Sequence, residues 1–276
     1  MKKHIAALFA QSPVHVGAGN SVGAVDMPVV RERHTRIPVI PGSALKGVLS
    51  TFWGNRREKG SDAYHLFGGE DAKEASAGQL LIGEARVLAF PVRSARKSFA
   101  WVTSPLALLR LKRDAGLEFS VPDISSNEEC RANPALLLDG NAVLEEYLFE
   151  SSGDCSEVAN ALKNLLEDEL WTTVAERLVV VSDEIFSYFV ENACEIATRI
   201  KIDEETGTVK NGALFNQEQV PSETMFYFPL SAVSSSELDG EAAVAKLKEK
   251  LKANGNLLQV GGDASIGLGF CKICLN

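Results

Sequence analysis

IPVIPGSALKGVLSTFW, residues 37–53, reads as a short extended run, a turn and an amphipathic helix. Pro41 and Gly42 make the turn, and Ser43 stands where a helix N-cap belongs. Ala44, Val48, Leu49 and Phe52 recur at helical spacing and mark one buried face. A helix starting there offers free backbone N–H groups and the positive end of its dipole to an anion. Lys46 falls in the same first turn, where a cation works against the helix unless a phosphate sits opposite. An exposed lysine tolerated at small cost is the alternative.

Working outward, His4–Val16 reads as a first strand and Gly17–Val30, rich in glycine and without periodicity, as a long mobile loop. Residues 54–78 form a polar, irregular insertion, followed by a strand over Gln79–Phe90. Pro105 opens a helix that runs to about Asp114. Ser156–Leu170 is helical by the spacing of Val158, Leu162, Leu165 and Leu166, and Leu178–Ser182 is a buried strand before a helix over Asp183–Ile196. Alternation over Arg199–Val209, a turn at Glu205–Gly207 and a return through Gly212–Val220 predict a protruding hairpin. Met225–Val233 is a core strand, Gly240–Ala253 an amphipathic helix and Gly267–Leu275 the last strand. The element lengths are too irregular for a doubly wound sheet. They predict an α+β fold, an antiparallel sheet covered by helices on one side.

The 276 residues are 45% hydrophobic and 24% charged, which excludes a disordered, collagen-like or coiled-coil chain. Apolar runs such as Leu106–Leu109 and Leu178–Val181 are too short to span a bilayer, and no charged-then-apolar leader opens the sequence. A cytoplasmic protein without a membrane partner is expected. The net charge of −9 argues against a nucleic-acid partner until the chain is divided. Residues 1–115 carry 17 Lys+Arg against 9 Asp+Glu, whereas residues 116–276 carry 11 against 28. Such polarity fits a polyanion site on one face, or chance clustering on solvated surface. Five cysteines, at 130, 155, 194, 271 and 274, make an odd count without a secretory signal, so no disulfide framework is expected. Cys271 and Cys274 fall on opposite faces of a strand, and no second Cys/His pair completes a zinc site.

GGDASIGLG, residues 261–269, is the other prominent motif. Its glycines permit positive φ and close backbone approach, as in an anion-binding nest. No Gly-Lys-Ser/Thr ends it and a strand follows instead of a helix, which excludes a nucleotide loop; a plain tight turn is the other reading.

The two motifs together resemble the RAMP superfamily of CRISPR effector complexes. There a Pro-Gly-Ser-x-x-Lys-Gly helix start, here Pro41–Gly47, is followed near the C-terminus by a glycine loop, here Gly261–Gly269. HVGAG at 15–19, VDMP at 25–28, LAFPVRS at 88–94, WVTSP at 101–105 and NGALF at 211–215 are similar to the target-RNA-cleaving backbone subunit of type III-B (Cmr-type) complexes. The resemblance spans about His4 to Lys272 and is weakest over 116–176.

It implies a single domain over 1–276 with an RRM-like, ferredoxin-like palm, a finger region inserted at about 54–78 and 116–176, and a β-hairpin thumb at about 199–224. Leu214 and Phe215 would wedge between base pairs. Copies would stack head to tail on guide CRISPR RNA beside other effector-complex subunits, and cleave single-stranded target RNA at regular intervals. The implied catalytic residue and metal ligand is Asp26, the only acidic residue in the first 31 positions, holding Mg²⁺ (or Mn²⁺) for attack by the RNA 2′-OH. His15 is the auxiliary candidate, with Glu223 and Tyr227 flanking the hairpin's exit. Arg31, Arg33 and Arg36 are assigned to phosphates of the cleaved strand. Ser43, Lys46, Arg93, Arg96 and Gly261, Gly262, Gly267 and Gly269 are assigned to RNA binding. A non-catalytic structural member and a stand-alone guide-RNA-processing endoribonuclease are the competing readings.

Overall fold

The computed structural model describes the chain except residues 1, 20–22, 55–56, 70–75, 204 and 206, and the side chains of 201 and 210–213. Parts of the expected first loop, the 54–78 insertion, the hairpin turn and the NGALF motif therefore lie outside the described residues. β1 (Lys3–Ala10) is followed by a long loop, β2 (Val39–Ile40), α1 (Gly42–Trp53) and the short α2 (Asp62–Phe67). β3 (Leu80–Ile82), β4 (Ala85–Arg93) and β5 (Phe99–Thr103) lead into α3 (Pro105–Ala115). Next come β6 (Glu129–Ala132), β7 (Leu137–Leu138), β8 (Asn141–Leu144), β9 (Tyr147–Ser151), α4 (Ser156–Lys163) and α5 (Val174–Arg177). β10 (Leu178–Val180) and α6 (Asp183–Asn192) precede the long pair β11 (Glu195–Ile202) and β12 (Val209–Gln219). β13 (Met225–Ala232), α7 (Gly240–Ala253), β14 (Leu257–Gln259) and β15 (Phe270–Leu275) complete it.

Among the described residues, one sheet runs β14-β15-β1-β13-β4-β5-β10-β6-β9-β8-β7, with β2 on β4 and β3 on β13. It is antiparallel except where β10 meets β5 and β6 meets β9. β1 is central, with Ala7 opposite both Tyr227 and Cys274. Every residue from Ile5 to Ala10 is buried, so this strand has no solvent face. Ala6, Leu8 and Ala10 join Phe226, Phe228 and Ile273 under α1 and α7. Ile5, Ala7 and Phe9 join Met225 and Tyr227 under α3 and α4, around Trp101 and Trp171. Helices thus cover both faces, not one. The unbroken apolar run of β1 is the physical reason, since alternation is what a half-exposed strand requires. The two indoles pack edge to face at 5.0 Å, and each N–H finds a carbonyl, Glu223 at 2.7 Å and Leu162 at 3.0 Å.

Several boundaries move from their sequence expectation. α1 starts at Gly42 with Pro41 as N-cap and no side-chain cap, so Ser43 lies inside the first turn, exposed. A Cβ on Gly42 would lie 2.5 Å from the Ile82 carbonyl oxygen, so glycine lets the helix start against β3. Ser104 caps α3 as Pro105 requires, and Asp239 caps α7 over the expected range. α4 stops at Lys163, while Leu165 and Leu166 stay buried without helix. α6 ends at Asn192, and the β-branched Ile196, Thr198 and Ile200 belong to β11. The hairpin therefore begins earlier than expected, pairing Ile200 with Leu214 and Arg199 with Phe215. No helix among the described residues is long and apolar enough to cross a membrane.

Candidate active site

The long loop after β1 runs back along itself and then along the base of β12. Val14 and Val220 exchange both backbone bonds, at 2.8 and 2.9 Å, and Val30 N–H donates to Val16 at 2.9 Å. Met27 lies beside Gln217, its N–H on the Asn216 carbonyl at 3.0 Å and its carbonyl accepting from Glu218 N–H at 3.0 Å. Asp26 is thereby placed at the foot of the hairpin. It is exposed, and its Oδ2 accepts the Asn216 N–H at 2.8 Å. Its other oxygen has no protein donor among the described residues.

His15 sits beneath this loop and is only 4% exposed. Its Nδ1 is 2.7 Å from the Glu218 carbonyl, and since a carbonyl only accepts, Nδ1 carries the proton. The other ring nitrogen lies against Gly17, where an added Cβ would be 2.8 Å away. His15 also receives the Gly262 N–H on its carbonyl at 3.0 Å, and a Cβ on Gly261 would come within 2.2 Å of that oxygen. The histidine is a clasp between the first loop, the hairpin base and the glycine loop. Its burial keeps the ring away from a phosphate approaching through solvent.

The glycine loop itself is exposed from Gly261 to Gly267. Gly261, Gly267 and Gly269 have φ of 88°, 87° and 79°, and Asp263 joins them at 63°. The Gln259 amide spans three of its carbonyls, Gly261, Gly262 and Leu268, at 3.1–3.4 Å. Across a groove of about 670 Å³, Ala44, Gly47, Val48 and Phe52 of α1 face Leu258, Gln259, Gly261 and Phe270. One face of α1 and the segment from β14 to Gly261, far apart in sequence, form the two walls of one groove, which brings the first residue of the glycine loop opposite the helix. Lys46 is half-buried on α1 with no acceptor among the described residues.

Other predicted site residues distribute less favourably. Arg31 is turned inward, its side chain 5% exposed. Its Nη1 donates to the Arg36 and Val190 carbonyls, and its Nη2 to Cys194 and to Glu218 Oε1 at 2.5 Å. No Nη hydrogen remains for a phosphate, which corrects its assignment. Arg36 pairs with Glu191 at 3.0 Å and Arg93 with Glu146 at 2.7 Å, while Arg33 and Arg96 are exposed. Tyr227 is fully buried with the tryptophans on the other sheet face, and its hydroxyl donates to Asp114 at 3.1 Å. Burial pushes that phenol far above its ordinary range. Glu223, at φ 67°, sits near Asp168, and burial first, then that neighbour, raise its carboxyl. Neither residue is brought to Asp26. Burial also pushes the Cys130, Cys155 and Cys271 thiols up to about 12, so they are inert apolar filling.

Two residues missed in the sequence join the site. Glu218 is buried, its Oε2 accepting Val29 N–H at 2.9 Å and its Oε1 bound by Arg31. Gln217, 1% exposed, accepts from Arg199 Nε at 2.6 Å and donates to Asp263 at 2.5 Å. The signal was available in the polar run NQEQ, 216–219, which continues a strand straight into the core.

A mostly antiparallel sheet, a hairpin with a carboxylate loop at its foot, and a glycine loop facing a helix start place the chain in the RAMP superfamily, whose profile matches residues 9–272. Within that family the chain is 35% identical over 288 residues to the CRISPR system Cmr endoribonuclease Cmr4 of Pyrococcus furiosus, covering 100% of this chain and 96% of that protein. It is 26% identical over 299 residues to the CRISPR system CMR subunit Cmr4 of Saccharolobus solfataricus, covering 96% and 93%. The crystal structure of oligomeric Cmr4 from Pyrococcus furiosus superposes with a TM-score of 0.78 at 30% identity, covering 100% of this chain and 98% of that one.

Proposed function

We propose that this chain is the backbone subunit of a CRISPR RNA-guided effector complex that cleaves complementary target RNA at regular intervals, with Asp26 as its catalytic carboxylate. The observation that carries the reading is the exposed Asp26 carboxylate tied to the hairpin backbone at Asn216. A hairpin that enters a guide–target duplex would present Leu214, 64% exposed beside Ile200, as an apolar wedge, with Phe215 on the opposite face. A nucleotide displaced there would meet Asp26 at the hairpin's foot. Its 2′-oxygen attacks the adjacent phosphorus and the bond to the 5′-oxygen breaks. The 2′-hydroxyl proton departs and the leaving oxygen gains one, giving a 2′,3′-cyclic phosphate and a 5′-hydroxyl.

The residues present fit a hard divalent cation that keeps most of its waters. Among the described residues Asp26 is an exposed carboxylate with one oxygen uncommitted, and no cluster of three metal-binding side chains is found. Such a metal, when bound, supplies charge stabilisation at the phosphate oxygens, with Asp26 as its protein ligand and RNA providing the rest.

Guide RNA would run past the start of α1 and the exposed glycine loop, with Lys46, Ser43 and the loop's amides on its backbone. The order β15-β1-β13-β4 with α1 and α7 on one face supports an RRM-like palm. Insertions at 54–78 and 116–176 would be its fingers in a single domain. Further copies stacked head to tail, other effector subunits and a cytoplasmic setting complete the reading.

Asp26→Ala in the guide-loaded complex tests it: cutting of a matched RNA should cease while assembly and target binding persist. Unchanged cutting would overturn the assignment. Cleavage of a repeat-containing transcript by the purified chain alone would favour guide processing instead.

A further inference from the structure

Asn216, Gln217 and Glu218 are three consecutive residues of β12 that hold two loops at once. The Asn216 backbone holds Asp26 and Met27, and the Gln217 side chain holds Asp263 of the glycine loop. Glu218 holds the carboxylate loop through Val29 N–H and Arg31, and receives His15 Nδ1–H on its own carbonyl. We propose that Glu218 is a positioning residue of the cleavage site. Its buried carboxylate locks the Asp26 loop to the hairpin, so that the element entering the RNA and the carboxylate acting on it move as one body. This rests on the reading of Asp26 as the catalytic carboxylate.

The energetics favour a geometric role over a stabilising one. The side chains of Glu218 and Arg31 are 9% and 5% exposed. Desolvating two charges largely offsets their attraction, so such a pair adds little net stability but specifies one arrangement. The remaining ties of the loop are of two kinds. Gly17–Val29, Ala18–Pro28 and Val30–Val16 bind the loop to itself, while the Val14–Val220 pair and His15 Nδ1 reach the hairpin base at the loop's start and the backbone bonds around Met27 and Asp26 reach it at the carboxylate. Glu218 supplies the one side chain among the described residues that reaches from β12 into that loop. It reaches Val29, three residues from Asp26, on the buried side where water cannot compete.

Deleting Glu218 alone would strand the Arg31 charge in the interior, so the test uses two double variants in the assembled guide complex. Glu218→Gln with Arg31→Met removes both charges and leaves an amide oxygen to accept the Val29 N–H. Glu218→Ala with Arg31→Met removes both charges and the acceptor. The glutamine pair should cleave within about threefold of the parent, and the alanine pair about 10²-fold more slowly at saturating target, because a displacement near 1 Å costs that much. KM for target and guide occupancy should match in the two complexes, so the loss falls in kcat. Equal rates for the two pairs would overturn the proposal, and so would a loss of target binding that accounts for the slower rate. Amide exchange in the parent complex needs no variant: the segment containing Val29 should be as protected as the base of β12. Exchange at the rate of an exposed loop would refute the clamp. Asp26→Ala run alongside separates the two readings. If that complex still cuts, the assignment of Asp26 fails. If it is dead while the two pairs cut alike, only the role of Glu218 fails.

Discussion

Alanine substitutions at three glycines of one loop separate the two reasons a chain uses glycine. Gly261 combines a φ of 88° with a backbone oxygen, that of His15, 2.2 Å from where a Cβ would stand. Gly267 shares the left-handed φ, 87°, but opens on empty space. Gly262 has neither constraint. Left-handed backbone costs an L-residue roughly 1–2 kcal/mol, so Gly267→Ala should lose about that much. Gly261→Ala adds a collision with an oxygen that cannot rotate away, and overpacking of roughly 1–3 kcal/mol brings its loss to about 2–5 kcal/mol. Gly262→Ala should be neutral, or stabilising by about 0.4–1 kcal/mol through reduced freedom of the unfolded chain. At about 2 °C per kcal/mol for a chain of this size, Gly267→Ala should melt about 2–4 °C below the parent and Gly261→Ala about 4–10 °C below. Circular dichroism melts of the three variants and the parent, in one buffer, read the ranking. Displacing the loop at 261 also breaks the Gly262–His15 bond, so guide RNA affinity should fall with that variant. Equal melting of Gly261→Ala and Gly262→Ala would refute the reasoning, because it would mean that the glycine loop does not press on His15.

Lys46→Ala should leave stability within about 0.5 kcal/mol of the parent, since no acceptor among the described residues is lost, while guide binding weakens and its log–log salt slope falls by about 1. Filter binding at several salt concentrations checks both. Tyr227→Phe removes a hydroxyl bonded to Asp114 and Arg86, and should cost about 1–3 kcal/mol in a denaturant melt with cleavage unchanged; a large drop in cleavage would return Tyr227 to the active site. Glu223 has a carboxyl raised in the folded chain, so its contribution is favourable below the unfolded pKa and is lost as pH rises through the folded value. Glu223→Gln should therefore raise Tm at neutral pH and lose that advantage near pH 4, as paired melts at the two pH values would show.

What could be read from the chain was what depends on neighbours a few residues away. The α1 start, the glycine loop and the full extent of α7 follow from turn residues, caps and helical spacing, and each is found within a residue or so. Faces were harder. β1 is apolar at every position from Ile5 to Ala10, which a local window records as hydrophobic without saying that two cores compete for it. Tyr227 shows the same limit, because its sheet face depends on a register set by pairing with Ala7, 220 residues away. Glu218 could be noticed only as part of the polar run NQEQ, and its burial could not be read there for a related reason. A glutamate near the end of a strand is ordinarily solvated, and only the return of residues 29 and 31 from far upstream gives it two partners and a reason to be buried.

The charge polarity of the chain changes meaning once its partners are known. The N-terminal basic excess is not a free basic surface. Arg31, Arg86, Arg93 and Arg110 are held by Glu218, Asp114, Glu146 and Glu32, of which Glu218 and Glu146 come from the acidic remainder of the chain. These pairings withdraw part of what a count by segment would offer to a polyanion. Among the predicted contacts, Lys46, Arg33 and Arg96 stay without an acidic partner among the described residues. Three cations and a loop of backbone amides are a sparse footprint for one subunit. Sparse electrostatic contacts bind weakly one copy at a time and strongly when repeated along one strand, because each added copy binds at high effective concentration. A chain with this charge economy should hold RNA poorly as a monomer and tightly as an array, with a salt slope that grows with the number of copies. A steep slope for the isolated subunit would show that the paired arginines are released to RNA, and would undo this account of the charge.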